Sequence, residues 1–438
     1  MFELFRYTFL RRLLALFDSI FFVNVLYRID DEGHFKDQIK NYLPTGEVSF
    51  SSSRISENFP LLYESRVSLP FGLHTFRSTG MHTDKEKSIL AAKGEFLERM
   101  SAYAPEHFLK DTNRNFATTQ TRDVVLPGVT FVKALTGLGY KKMPTSRLYY
   151  GVKDEVTYSH QKTTNGCGAH FDKEKAILSG WLELIQRDSF FVYWLNTISP
   201  RIISLESIAS HSEALRVLVQ KAKQYRLNLT VVDITSDILV PCLVCVVHSS
   251  DGEPAFFGLG ASSGFNFEAM FISALGEALS IAHFTLGKEA FHIDPTHKPF
   301  TDKLLNKGSR ILLNLSKNNF THFKFFLDSP ESISVETFLQ ASPIEETATV
   351  KEQRIYLEKL FRARATEDKA FRVYYHSFKN NLIAQFDYHV IRVICEGLYP
   401  IYLNENFADT NHPRLQAFVR AKKLEQVAKL NTFPHPFP

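Results

Sequence analysis

The chain has 438 residues, of which 44% are hydrophobic and 22% charged, fractions that exclude disordered, collagen-like and coiled-coil architectures. Lys and Arg number 51 against 47 Asp and Glu, a net charge of +4, too balanced for a surface built to grip a nucleic acid. Four cysteines are too few for a disulfide scaffold at this length and suit a reducing, cytoplasmic compartment.

Residues 1–23 are rich in Phe and Leu, but Glu3, Arg6, Arg11, Arg12 and Asp18 interrupt them. No run approaches the ~20 apolar residues that span a bilayer, and no small-residue cleavage site follows. The segment reads as an N-terminal helix packed on its own protein, the alternative being an amphipathic helix that lies on a membrane or a partner. Residues 33–70 read as a loop, with Pro44, Gly46, Ser51, Ser52, Ser53 and Pro60. They join a helical extension over 1–53 to a main body over 54–430, which ends in a proline-rich tail over 431–438. Apolar residues at three- and four-residue spacings predict helices over 83–103, 172–194 (with Asp172 as N-cap) and 266–283. Runs of Val, Ile, Tyr and Phe predict strands over 147–152, 228–234, 238–248, 255–259 and 389–395. Residues 301–368 are more charged and read as peripheral helices, and a last helix is expected from His412 to about Leu430. No linker is rich enough in Pro, Gly and Ser to separate two domains, so the fold class is one mixed α/β body.

The three main helices share a carboxylate pattern. The first carries Gly94-Glu95-Phe96-Leu97-Glu98-Arg99, the second Glu183-Leu184-Ile185-Gln186-Arg187, and the third Gly276-Glu277-Ala278-Leu279-Ser280. Each Glu is followed three residues later by a second polar side chain, on the same helical face. Three such faces turned to one cleft would gather carboxylates that repel one another unless cations neutralise them. Mg²⁺ suits that setting, because it prefers hard oxygen ligands and pairs one or two carboxylates with nucleotide phosphates. The chain has neither a G-x-x-x-x-G-K-[ST] loop nor a G-x-G-x-x-G turn after a strand, so a nucleotide would be held by metal–carboxylate chelation. The alternative is three sets of solvated glutamates on amphipathic helices.

These residues resemble the YcaO family. Its Gly-Glu-x-x-Glu-Arg helix, its Asn-Gly turn before a Glu-x-x-(Glu or Gln)-Arg-Asp helix, and its third Glu-bearing helix occur here in order. They correspond to Gly94–Arg99, to Thr164–Gly168 with Glu183–Asp188, and to Ala274–Glu277; Asp233–Asp237 and Val390–Ile394 are also family-like. The similarity runs from about Arg54 to the C-terminus. It implies a YcaO-type α/β body whose cleft, lined by Glu-bearing helices, binds ATP and Mg²⁺. Glu95, Glu98, Glu183 and Glu277 become metal or phosphate ligands, with Gln186 beside them and Arg99 and Asn165 at the nucleotide. The pattern departs at Ala91, where Ser is common, and at Ser273 and Ser280, where Arg and Gln are common. Loss of an Arg beside phosphates weakens ATP binding unless another cation replaces it.

The tail, Pro434-His435-Pro436-Phe437-Pro438, favours a stiff, extended segment. On composition alone it is a disordered end or a proline-rich ligand for another protein. Within the family a Pro-x-Pro-x-Pro ending marks peptide cyclisers, in which the tail enters the active site. The resemblance therefore implies catalytic roles for Pro434, Pro436 and the Pro438 carboxylate. The implied activity is ATP-dependent cyclodehydration of Cys, Ser or Thr in a ribosomal precursor peptide to thiazoline or oxazoline. It also implies a separate leader-binding partner subunit, like the ubiquitin-activating enzymes, in a hetero-complex containing a homodimer of this chain. A flavin-dependent azoline dehydrogenase would act next. Nothing before Arg54 is long enough to be that recognition domain.

Two other readings have their own residues. Ala91, Ser273 and Ser280 fit a degenerate scaffold subunit without ATP turnover. Gly260-Ala261-Ser262-Ser263-Gly264 matches G-x-S-x-G after a strand, the setting of a serine hydrolase elbow with Ser262 as nucleophile. Cys242 and Cys245 form C-x-x-C, but in a strand residues three apart face opposite ways. They read as buried structural thiols. Cys167 lies in the Asn-Gly turn, and a lone Cys carries no assignment.

Overall fold

The computed structural model describes residues 32–42, 48–54, 62–71, 74–103, 129–149, 163–249, 255–293, 298–300, 307–424 and 429–437. The helix expected over 1–23 lies outside them. The body is a mixed α/β fold built from three helix-on-sheet units. In the first, β1 (Ser49–Arg54), β2 (Tyr63–Phe71) and β3 (His74–His82) form an antiparallel meander after α1 (Glu32–Tyr42), and α2 (Lys85–Tyr103) packs on β2 and β3. The second sheet joins β4 (Val129–Ala134), β5 (Tyr140–Pro144), β6 (Cys167–His170), β12 (Val373–Ser377) and β13 (His389–Cys395) in the order β5-β4-β12-β13-β6. Helix α3 (Lys173–Leu195) crosses its β6–β13 end, and α11 (Asn381–Gln385) lies against α1.

The third sheet runs β10-β9-β8-β7-β11, from β7 (Arg201–Ile203), β8 (Leu227–Asp233), β9 (Cys242–Ser249), β10 (Phe257–Ser263) and β11 (Ser332–Ile333). Only the β7–β11 pair is parallel. Helices α4 (Leu205–His211) and α5 (Glu213–Gln224) join β7 to β8, and α6 (Phe267–Thr285) packs on β9 and β10. Residues 307–367 add the short helices α7 (Lys307–Leu312), α8 (Lys317–Phe320) and α9 (Val335–Leu339) and the longer α10 (Val350–Glu367); they are helical as expected but not peripheral, since Phe323, Phe326, Leu357 and Phe361 enter the main core.

Each unit needs a glycine where helix backbone meets strand. A Cβ at Gly80, Gly168 or Gly260 would stand 2.0, 2.2 and 2.2 Å from the carbonyl oxygens of Ser88, Ala176 and Ala274. Strand β9 is buried on both faces. Cys242, Val244 and Val246 enter one core, while Leu243, Cys245 and Val247 enter another. The C-x-x-C pair is thereby split, and all four cysteines are buried free thiols. Among the described helices α6 alone is long and apolar enough to cross a membrane; here it lies in the core between β10 and the first unit.

Helix α3 is the central strut. Asp172 caps it by accepting from the N–H groups of Glu174 and Lys175, and every residue from Asp188 to Leu195 is buried, the mark of a core helix. Asp188 takes two Arg414 nitrogens at 2.8–3.0 Å and the Tyr399 N–H at 2.8 Å. Arg414 belongs to α12 (Pro413–Ala421), so this buried pair ties the C-terminal elements to the strut.

Three further expectations change. Residues 33–70 are not a loop; they hold α1, β1 and most of β2, because the serines of β1 sit on an edge strand where polar side chains are tolerated. In place of a strand over 147–152, a 3₁₀ turn (Thr145–Arg147) follows Pro144, tied by Thr130 Oγ1 to Thr145 Oγ1 at 2.7 Å; 150–152 lie outside the described residues. Helix α12 stops at Ala421 and not near Leu430. Lys423 takes a left-handed φ of 54°, and the N–H groups of Leu424 and Lys423 bond back to Val419 and Arg420, a Schellman stop.

Asp188→Ala should lower the unfolding free energy by about 3 kcal/mol, the usual cost of breaking a buried ion pair, with Asp237 left as the remaining carboxylate on Arg414 at 2.6 Å. Urea titration followed by circular dichroism reads it, and an unchanged midpoint would remove the strut from this account.

Candidate active site

Glu95, Glu183 and Glu277 each stand ten residues after the first residue of their helix (85 to 95, 173 to 183, 267 to 277), a depth of roughly 15 Å along the axis. Each folds back on the strand or turn that precedes it and accepts a backbone N–H. Glu95 Oε2 accepts from Thr79 at 2.5 Å, Glu183 Oε2 from Gly166 at 2.8 Å, and Glu277 Oε2 from Ala261 at 3.1 Å. One device therefore occurs three times, with a strand or turn supplying the N–H that aims the carboxylate.

The Gly166 donor depends on its turn. Cys167 N–H bonds the Thr164 carbonyl at 2.9 Å, and Gly166 has φ +80°, the left-handed third position of a type II turn. A Cβ there would also meet the Val393 carbonyl at 2.4 Å. The Asn-Gly pair is thus a geometric requirement for holding Glu183.

The three units meet at a cleft of about 520 Å³. Thr79 of β3 and Ala91 of α2 line it, with Glu183, Gln186 and Arg187 of α3 and Glu277 of α6. Electrostatics link these carboxylates to a fourth. Burial first, then the charges of Glu183 and Glu95, push Glu98 up to about 8. Burial also raises Glu183 above the usual carboxylate range; Arg187, the Gly166 N–H and Arg392 oppose this, and Glu277 adds to it. Arg392 is itself buried and clamped, donating to the carbonyls of Leu148 at 2.9 Å and Thr163 at 2.7 Å.

Such a group of carboxylates fits a divalent cation that arrives with other ligands. Among the described residues no three His, Cys, Asp or Glu side chains are close enough to enclose a metal by themselves. Each helix instead offers a carboxylate with one oxygen anchored to backbone, the donor set expected of an Mg²⁺ that keeps waters and phosphate oxygens.

The remaining sequence candidates divide. Gln186 and Ser273 line the cleft. Glu95 and Glu98 are not among the residues that line it, and Arg99 pairs with Glu95 at 2.6 Å while also donating to the Arg77 carbonyl. Asn165 does not line this cleft. It faces a second cavity of about 280 Å³, shared with Leu184, Arg392 and His412, because the tight turn points Gly166 and Asn165 to opposite sides. Its buried Oδ1 has no hydrogen-bond partner. Ser280 turns away to donate to Glu64 at 3.1 Å. Ser262 sits inside β10, paired with Leu243, and not on the sharp turn that a nucleophile elbow needs.

The tail lies along the end of α3. Asn431 N–H donates to Leu195 O at 2.8 Å, and Trp194 Nε1 to Phe433 O at 3.3 Å. His435 is fully buried with Nε2 2.8 Å from the Tyr402 carbonyl and 2.9 Å from Arg310 Nη1. Pro434, Pro436 and Phe437 are buried too, whereas Pro438 lies outside the described residues. Sequence patterns passed over Thr79 and Arg392 as site residues. The first contributes only its backbone, and the second stands in a strand whose pairing across β6 was not visible.

With its carboxyl pushed up to about 8 by burial and neighbouring charge, Glu98 would give up a proton on taking a cation. Affinity for Mg²⁺–nucleotide should rise from pH 6 to 8 and then level, with about one proton released at pH 7. Metal-free stability should run the other way. The raised carboxyl stabilises the fold below its ordinary value of 4.5, and that contribution is lost as pH climbs through 8. Calorimetry in buffers of different ionisation enthalpy reads the proton count, and Glu98→Gln should flatten the pH dependence.

A sequence model described as YcaO cyclodehydratase, ATP- and Mg²⁺-binding, matches residues 135–399. Among solved structures, a heterocyclase in complex with substrate and cofactor is similar at TM-score 0.65 and 19% identity, over 93% of this chain and 58% of that one. YcaO from Methanopyrus kandleri bound with AMPPCP and Mg²⁺ gives 0.54 and 15%, over 80% and 85%. The E. coli microcin synthetase McbBCD complex gives 0.51 and 14%, over 89% and 96%. The chain thus spans 58% of the length of that heterocyclase. No curated protein matches it.

Proposed function

The chain belongs to the YcaO family, and we propose that it is the ATP-dependent subunit of a peptide cyclodehydratase. The observation that carries this reading is the meeting of three glutamate-bearing helices, each from its own sheet, around one cleft of about 520 Å³, a size within the ~300–1,000 Å³ of ligand sites. Glu95, Glu98, Glu183 and Glu277 hold ATP with Mg²⁺ there, with Gln186 beside them and Arg99 bracing Glu95. Mg²⁺, when bound, neutralises charge on the phosphates during transfer.

A Cys, Ser or Thr side chain of the precursor peptide attacks the preceding backbone carbonyl carbon. The resulting oxyanion takes the γ-phosphoryl group of ATP, and ADP leaves. Expulsion of phosphate, with loss of the former amide proton, closes the C=N bond of a thiazoline or oxazoline. The peptide occupies the second cavity, where the unpaired Oδ1 of Asn165 accepts a peptide N–H. This moves Asn165 from the nucleotide to the peptide. Pro434 and Pro436 hold the tail extended, and the Pro438 carboxylate, one residue beyond buried Phe437, takes the proton.

A leader-binding subunit like the ubiquitin-activating enzymes presents the ribosomal precursor, and a flavin-dependent dehydrogenase oxidises the azoline. The chain acts as a homodimer within that hetero-complex. The setting is the cytoplasm, where ATP is supplied and the four free thiols stay reduced.

In the reconstituted complex, Glu183→Ala should cut azoline formation at least about a hundredfold while leaving the circular dichroism spectrum unchanged. Deleting Pro438 should slow cyclisation and spare nucleotide binding; full activity after that truncation removes the carboxylate from the mechanism. Asn165→Leu should raise KM for the precursor peptide about tenfold with KM for ATP unchanged, read by mass spectrometry of the product and by phosphate release.

A further inference from the structure

Arg187 is the one lysine or arginine among the described residues that line the 520 Å³ cleft. Its guanidinium lies over the ring of Phe437, with the central carbon 4.2 Å from the ring centroid. Phe437 is 1% exposed and is backed by the Phe190 ring at 4.6 Å. The Arg187 side chain is itself largely enclosed, at 14% exposure, and among the described residues only one of its nitrogens is engaged. Nη2 reaches Glu183 Oε1 at 3.3 Å, long for a charge-assisted bond, whereas Nε and Nη1 are buried without any partner. Buried donors are costly to leave unpaired, so two unpaired donor nitrogens on a cation at a cleft wall call for an anionic ligand.

We propose that Phe437 is a positioning residue for nucleotide binding, holding Arg187 so that Nε and Nη1 take phosphate oxygens of ATP. Stacking uses the face of the guanidinium and leaves its in-plane donors free. Without the ring, Arg187 can close fully on Glu183, four residues earlier on the same helix. That closure withdraws both the phosphate ligand and a carboxylate that the cation needs. Ser273 leaves the α6 wall without a cation, so the cleft relies on this arginine. Tail docking and nucleotide binding then favour each other, since the segment that brings Pro438 to the reaction also completes the phosphate site.

This inference rests on the proposed ATP site, and the test separates the two. The probe is the Mg²⁺ complex of AMPPCP, titrated by calorimetry into the full-length chain. Phe437→Leu should weaken binding about five- to tenfold, and Phe437→Tyr, which keeps an aromatic face, should restore it to within about twofold of the unaltered protein. Arg187→Gln should weaken binding at least as much, and adding Phe437→Leu to it should cost less than twofold more, because the ring acts only through the guanidinium. Three results overturn the inference: a Leu variant that binds normally, a Tyr variant as weak as the Leu variant, or additive losses in the double variant. The Arg187→Gln pair keeps the test decisive if Phe437→Leu alone lowers the melting temperature. An unaltered protein that binds no Mg²⁺–AMPPCP overturns the ATP site itself, and the inference with it.

Discussion

Carboxylates gathered at and beside one cleft are the constraint from which the rest of the structure follows. Left alone they repel, and the repulsion appears as a Glu98 carboxyl raised to about 8 by burial and by its neighbours Glu183 and Glu95. The fold tolerates the arrangement by fixing Glu95, Glu183 and Glu277 each to a backbone N–H and by clamping Arg392 in the strand beneath. What remains is a set of carboxylate oxygens at a defined place, the hard ligands that a divalent cation takes.

The surrounding architecture serves that placement. Each carboxylate rides on a helix that can approach its strand only because a glycine stands at the crossing. Helix α3 does most of the integration. Its cleft face carries Glu183, Gln186 and Arg187; its buried Asp188 grips Arg414 of α12; and its last turns receive the tail through Leu195 and Trp194. The cleft, the C-terminal elements and the tail are therefore connected through successive turns of one helix. Arg187 lines the cleft and lies over Phe437 of the tail.

The helices were legible because their signals are local. Asp172 and Asn266 cap as their residue types suggest, and the 3.6-residue periodicity places α2, α3 and α6 within two residues of where they lie. Strand β13 begins and ends where the Val and Ile run does. The misreadings fall where no residue type announces the structure. The polar β1 becomes a strand only by pairing with β2, and α12 ends in backbone bonds and a left-handed lysine with no glycine to announce them. The Gly-x-Ser-x-Gly string satisfied a motif, yet hydrogen bonding to β9 keeps Ser262 in an ordinary strand.

The sequence by itself determined which residues carry charge and on which helical faces they stand, since that needs only the helical repeat and the side chain itself. Order and spacing were enough to associate Glu95, Glu98, Glu183, Gln186 and Glu277 with one family's chemistry. Tertiary structure alone decided which oxygen of each glutamate is anchored and that Asn165 faces a different cavity from Glu183. It also decided that the ring of Phe437 supports an arginine 250 residues earlier. The reason is physical: anchoring, burial and stacking are properties of groups brought together across the chain, and their energies depend on distance and dielectric, which no local pattern encodes.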